Sequence, residues 1–251
     1  MGIADWFSGR KNKFRDKMRE TLAGGDLSKE KLLELERLRV ELDAEPPSAE
    51  RTIDRREMFN VAVENVKAGG KLSKDQDREL ARLQKYLALR DYQIDKTRTD
   101  LKRLKTVDQI EQGQLPVVSP DNVALRGMRL EANEVAHYCV LADLYERPEA
   151  PSRIGVRVNH DAPYIPGSSR GLELPVNGAD KTDGGYVIVT NQRFIFKGAR
   201  TFGHKLAQNQ HFFLYEDGLR LPFGRGHLLF HLRAEGQSEV IGTLLTRLKT
   251  T

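Results

Sequence analysis

Two stretches of the chain carry the same rhythm of apolar and polar residues. Residues 23–42 read AGGDLSKEKLLELERLRVEL and residues 68–87 read AGGKLSKDQDRELARLQKYL, matching at 11 of 20 positions without a gap at a period of 45. Each copy follows a run with helical spacing, about 12–22 in the first case and 54–67 in the second. Gly24-Gly25 and Gly69-Gly70 predict a stop to these first helices, because glycine accepts the left-handed conformation that closes a helix. Ser28 and Ser73 then stand where an N-cap is needed, with acid in the turn that follows. Each copy therefore predicts a helix–turn–helix hairpin, and two copies a four-helix unit.

Asp43-Ala44-Glu45-Pro46-Pro47-Ser48 breaks the chain after the first copy, and the second copy has no equivalent run of prolines. Its last helix is expected to extend from Lys74 to about Lys105. Leu80, Leu87, Ile94 and Leu101 recur every seven residues, with Leu83 and Leu104 at the companion positions and Arg90 and Thr97 interrupting them. That is a partial coiled-coil seam. It predicts either packing on its own bundle or a homo-oligomer formed through residues 80–104.

From Gln114 the rhythm changes. Pro116 and Pro120 mark a linker, and apolar residues then alternate or cluster in short runs bounded by turn formers. Strands are expected over 153–158, 186–190, 193–197, 211–215, 219–221 and 227–232, and residues 135–145 form an apolar run that leans to strand with helix as the alternative. Asn191-Gln192 turns one hairpin and Glu216-Asp217-Gly218 another. A final helix is expected behind Ser238 as N-cap, with Ile241, Leu244, Leu245 and Leu248 on one face. The fold class is thus α+β. An all-α hairpin-repeat domain occupies residues 1–110, a linker 111–127 and a β-rich domain 128–251.

Gly184-Gly-Tyr-Val-Ile-Val-Thr-Asn-Gln-Arg-Phe-Ile-Phe-Lys-Gly198 resembles the hairpin of GRAM and bacterial pleckstrin-homology-like domains. Tyr215-Glu-Asp-Gly-Leu219 is similar to the strand–turn–strand that follows in that group, and Leu130-Glu-Ala-Asn-Glu-Val-Ala-His-Tyr138 to its first strand. The resemblance spans about 128–248. It implies a split β-barrel capped by a C-terminal helix, used to hold membrane lipids or proteins and not for catalysis. Two departures bear on an inherited lipid site: a long Pro- and Gly-rich loop over 159–183, and a polar stretch from Arg200 to Gln210 where a regular strand is expected. The helix–AGGxLS–helix layout of the N-terminal half looks like the helical modules of tellurite-resistance TerB-type proteins, through its turn and leucines.

Charge sharpens this division. Residues 1–110 hold 25 Lys/Arg and 21 Asp/Glu, leaving 16 and 15 for the rest. Mixed charge on helices reads as a solvated face. A net charge of +5 over 251 residues does not by itself imply nucleic acid, although the basic helices keep a nucleic-acid binder as an alternative. Cys139 is the single cysteine, so no intramolecular disulfide is expected and a reducing, cytoplasmic setting is the natural one. No run approaches the ~20 apolar residues of a membrane span, and no signal-peptide core opens the chain. Any membrane contact would be peripheral, at the inner face.

Candidate chemistry is sparse. Gly167-Ser168-Ser169-Arg170-Gly171 matches the nucleophile-elbow spacing, but prolines flank it where that elbow needs a strand and a helix. His227 and His231 fall four apart in a predicted strand, about 13 Å along the chain, too far to share one metal ion. The AGGxLS turns have too few oxygen ligands for calcium. No cofactor is expected. Two sets of residues are left for binding. Trp6 and Phe7 lie beside Arg10, Lys11 and Lys13 in a basic amphipathic segment suited to an anionic membrane. Arg193, Lys197, Arg200, Lys205 and Arg220, with Arg225 and Arg233, give the β domain the donors to hold a lipid phosphate or an acidic partner. The expectation is a non-enzymatic adaptor whose β domain binds a headgroup or peptide and whose helical half assembles or recruits. A purely structural coiled-coil oligomer is the rival reading.

Overall fold

A computed structural model describes residues 3–25, 27–147, 155–159, 162–206, 211–223 and 226–249, with the side chains of 3–12, 147, 223 and 249 outside that description. The chain divides into two compact units, residues 1–105 and 106–251. It is an α+β protein, with helices first, then an eight-stranded antiparallel sheet and a closing helix.

The first unit contains α1 (Ile3–Ala23), α2 (Lys29–Glu41), α3 (Thr52–Ala68), α4 (Lys74–Tyr86) and the greater part of α5 (Asp95–Glu111). The repeat behaves as its residues dictate. Ser28 accepts from the Lys31 N–H, and Ser73 forms a full capping box with Gln76. Gly25 and Gly70, each the second glycine of its pair, take positive φ of 77° and 74°. Phe14, Met18, Leu22, Phe59, Val63, Leu80, Leu83 and Leu87 fill one core.

The single helix expected over 74–105 is instead two. α4 stops at Leu87, Ala88 adopts φ +50°, and a 3₁₀ turn over Asp91–Gln93 leads into α5. Residue 88 lies 45 positions after Asp43, which has φ +48° at the end of α2. The Leu42 and Leu87 N–H groups return to Leu38 and Leu83 in the same way, and the carbonyls of Ala44 and Leu89 are each held by a side chain, Arg39 and Gln84 respectively. The repeat therefore extends past the matched residues into a stop that no proline signals. The leucines that would form a seam are already covered: Leu80, Leu83, Leu87, Ile94 and Leu104 are buried within the unit and Leu101 packs against them.

The second unit holds β1 (Ala136–Arg147), β2 (Val156–Val158), β3 (Asp180–Thr190), β4 (Arg193–Lys197), β5 (Thr201–Lys205), β6 (Phe212–Leu214), β7 (Gly218–Phe223), β8 (Gly226–Leu232) and α6 (Gln237–Lys249). Their order across the sheet is β2-β6-β7-β8-β1-β3-β4-β5. In a flat sheet β4 and β6 would lie about 24 Å apart, at five strand spacings. The rings of Phe194 on β4 and Phe212 on β6 are 5.5 Å apart, and Phe194 lies 5.2 Å from Phe230 on β8. The sheet is thus curled on itself around an aromatic interior. Val240, Ile241, Leu244 and Leu245 of α6 enter the same core, together with Val107 and Ile110. Ser238 is not the cap of α6. It lies inside the first turn and donates to the Glu216 carbonyl.

Two expectations for this half are revised. Residues 201–205 form a strand although their pattern is polar, because β5 is an edge strand whose alternate residues face solvent. The 111–127 segment is not an extended linker throughout. Ala124 and Leu125 are buried with Ile188 and Ile195 on the outer side of β3 and β4.

Candidate functional site

The Thr190-Asn-Gln-Arg193 turn is a clasp. Thr190 Oγ1 accepts from the N–H groups of Gln192 and Arg193 and donates to Glu134 at 2.7 Å. Asn191 bonds Val135 and Asn133, and Gln192 bonds Ala132. Arg193 meets Glu134 through two parallel hydrogen bonds of 2.9 and 2.6 Å, and the Glu134 side chain is fully buried. Burial alone would raise the Glu134 carboxyl. Arg193, Thr190 and the Glu131 N–H outweigh it and hold the group at about 2.

The expected ligand set is therefore dispersed. Arg193 is committed to Glu134. Lys197 closes the 3₁₀ turn over Val123–Leu125 through the carbonyls of Ala124, at 3.0 Å, and Arg126. Arg200 reaches Glu146 at 2.6 Å and Thr182. Arg233 pairs with Asp143 at 2.7 Å. Lys205 is exposed on β5. Arg225 and the side chains of Trp6, Phe7, Arg10 and Lys11 lie outside the described residues, and Lys13 is exposed on α1.

Arg220 differs from all of these. It is 4% exposed in the middle of the sheet, on the outer face of β7. Its guanidinium stacks on the Phe213 ring of β6, 3.9 Å from the centroid. Leu229 of β8 faces it from the other side. Its Nε is buried with no hydrogen-bond partner. Among the described residues no carboxylate pairs with it. Burial lowers its affinity for a proton, against a smaller opposing influence from Tyr215.

The register places a second arginine and two histidines near it. Arg157 on edge strand β2 lies opposite Phe213, so Arg157, Phe213 and Arg220 form one cross-strand row. Arg157 Nη2 approaches the ring of His211, 3.0 Å from Nε2. On β8, His227 lies two residues from Leu229 and shares its face, diagonal to Arg220. Its Nδ1 is buried without a partner. Burial, and then the charge of Arg220, lower its pKa. Arg157 and His211 could not be singled out from the sequence. Their only signal was alternation on strands whose pairing was unknown.

The other candidates have structural partners. Ser169 is buried in its loop, 2.9 Å from the Tyr164 hydroxyl. His231 lies 3.5 Å from Asp217. Cys139 is half-buried, and burial raises its thiol. Among the described residues, no group of three or more His, Cys, Asp or Glu side chains is placed to hold a metal ion, and no helix is long and apolar enough to cross a membrane.

Fold and site together define an α+β protein whose curled sheet is filled from within and carries a buried arginine, Arg220, on its outer face. No family model, curated protein or solved structure matches the chain.

Proposed function

We propose that this protein is a non-enzymatic adaptor whose β unit holds an anionic partner, a lipid headgroup or an acidic peptide, on the outer face of β2, β6, β7 and β8. One observation carries the reading: Arg220 is buried, its Nε has no hydrogen-bond partner, and among the described residues no carboxylate pairs with it. An uncompensated buried charge costs several kcal/mol, and a fold that keeps one has a use for it in the bound state. Arg157 adds a second positive charge in the same cross-strand row, with His211 and His227 nearby. The resemblance of residues 184–198 to GRAM and pleckstrin-homology-like hairpins supports a holding role, although the residues of that hairpin serve the fold. The helical unit would assemble or recruit, and Leu33 and Val40 on α2 offer it exposed apolar side chains.

The test is sedimentation of the full chain with anionic and with neutral vesicles at low salt, alongside retention on an immobilised acidic peptide. Binding to either anionic probe, weakened by Arg220→Gln, is expected. Absence of binding to both sinks the adaptor reading.

A further inference from the structure

The two repeats of the helical unit allow one helix to be compared with its own copy. α2 and α4 each follow a serine cap, run 13 residues and match at a period of 45. On α4 the outward positions 78 and 85 hold Arg78 and Lys85, both exposed, with Arg78 paired to Asp75. The same positions on α2 hold Leu33 and Val40, which are 50% and 64% exposed. They lie seven residues apart and share one face of the helix. Folding does not call for apolar side chains at these places, since the sister helix forms with charge there. Beside Leu33 is a hollow of about 390 Å³ lined by Leu32, Leu33, Pro46, Pro47 and Tyr86, together with Lys29 and Glu36.

Charge along this face selects what covers it. Lys29 and Arg37 are exposed, and Glu36 is partly so; they stand on the turns between and before Leu33 and Val40. A parallel pair of α2 helices would set each of these charges against its own kind. An antiparallel pair, with a two-fold axis between residues 36 and 37, sets Glu36 against Arg37 of the partner subunit and Leu33 against Val40 of the partner subunit, each contact occurring twice. It also sets Lys29 beside the C-terminal end of the second α2, where the last carbonyls carry the negative end of the helix dipole. We infer that two copies of the chain associate through α2, antiparallel about that axis. Val40 of the partner subunit then covers Leu33 and the hollow beside it. The inference rests on the assembling role proposed for the helical unit and names its partner, a second copy. The shared face is one helix of 13 residues, so the buried area falls short of about 1,000 Å² and the dimer is weak and reversible.

The experiment is sedimentation velocity on the full chain at low salt, from about 1 to about 100 µM, the range in which a small interface is populated. A concentration-dependent dimer is expected. Leu33→Lys and Val40→Lys should each weaken it by at least about tenfold, because every substitution enters a two-fold interface twice. Arg37→Glu, which sets acid against acid at the axis, should weaken it by a similar factor. Arg78→Leu and Lys85→Val, the matching positions on α4, should leave it unchanged. An unaltered thermal midpoint in each variant shows that the fold is kept. Orientation is read by mixing Leu33→Cys and Val40→Cys chains, both carrying Cys139→Ser. The mixture should form a disulfide-linked dimer on mild oxidation, and either chain alone should not. A chain that stays monomeric at about 100 µM overturns the inference and leaves the face to a different protein. So does a dimer that Leu33→Lys and Val40→Lys do not weaken, or a Leu33→Cys chain that links to itself as readily as the mixture links. Vesicle sedimentation of the same samples separates this failure from that of the adaptor reading. If anionic vesicles still bind, only the α2 dimer falls. If they do not, and the acidic peptide is not retained, both fall.

Discussion

The outer face of the sheet carries arginines in two settings, on β4 and on β7, and they have opposite consequences. Arg193 is met by a buried carboxylate, a hydroxyl and a turn that bind one another, so its charge locks residues 131–135 to the β3–β4 hairpin. Arg220 is more deeply buried and has an aromatic ring beneath it, with no acid paired to it among the described residues. The first is charge used for folding. The second is charge kept in spite of folding. A basic residue's type and position on a strand do not separate the two, since only the groups brought in from other strands decide whether a cation is already neutralised.

Substitution at each position should break this contrast in a different direction. The largest effect is expected for Arg193→Met, which strands the Glu134 carboxylate in the interior and should cost about 3 kcal/mol in urea unfolding. The same variant sharpens a pH test. Glu134 is held at about 2 against an ordinary 4.5. Its pKa is depressed by folding, so its contribution is fully present above pH 4.5 and disappears as pH falls toward 2. The wild type should lose stability across that window, and Arg193→Met should lose much less of it. Lys197→Met removes the donor to the Ala124 and Arg126 carbonyls and is expected to cost about 1.5 kcal/mol. Arg220→Met should go the other way. With no partner left behind, stability should hold or rise by about 1 kcal/mol while anion binding is lost, measured by urea unfolding and vesicle sedimentation on the same protein. Destabilisation by Arg220→Met equal to that of Arg193→Met would erase the distinction. The smallest effect is expected away from the sheet. Ala88→Gly relieves a positive φ at an exposed alanine and should raise the thermal midpoint through about 0.5 kcal/mol.

Ala88 also marks where local reading stops. The glycine pairs and serine caps of the repeat act within a few residues of themselves, and they were legible. So was the β3–β4 hairpin, from alternation on either side of Asn191-Gln192. The break at residues 87–94 was not, because no residue there forbids a helix. Leu87, Leu89 and Ile94 are all drawn into the core of the helical unit, and the chain turns to bury them. β5 was hidden for the converse reason. Pairing with β4 through the backbone holds it, and its side chains need not be apolar.

By itself the sequence determined the α+β order, the repeated hairpins, the turns and the alternation of most strands. Each depends on backbone preferences and on apolar residues meeting a nearby core. Only the tertiary structure decided which of the many cations are consumed in folding. It set Glu134 under Arg193, and it curled β6 and β7 so that Arg220 is covered and, among the described residues, left without an acid. Electrostatic neutralisation depends on distance in space, and residues far apart along the chain supplied it in one place and withheld it in the other.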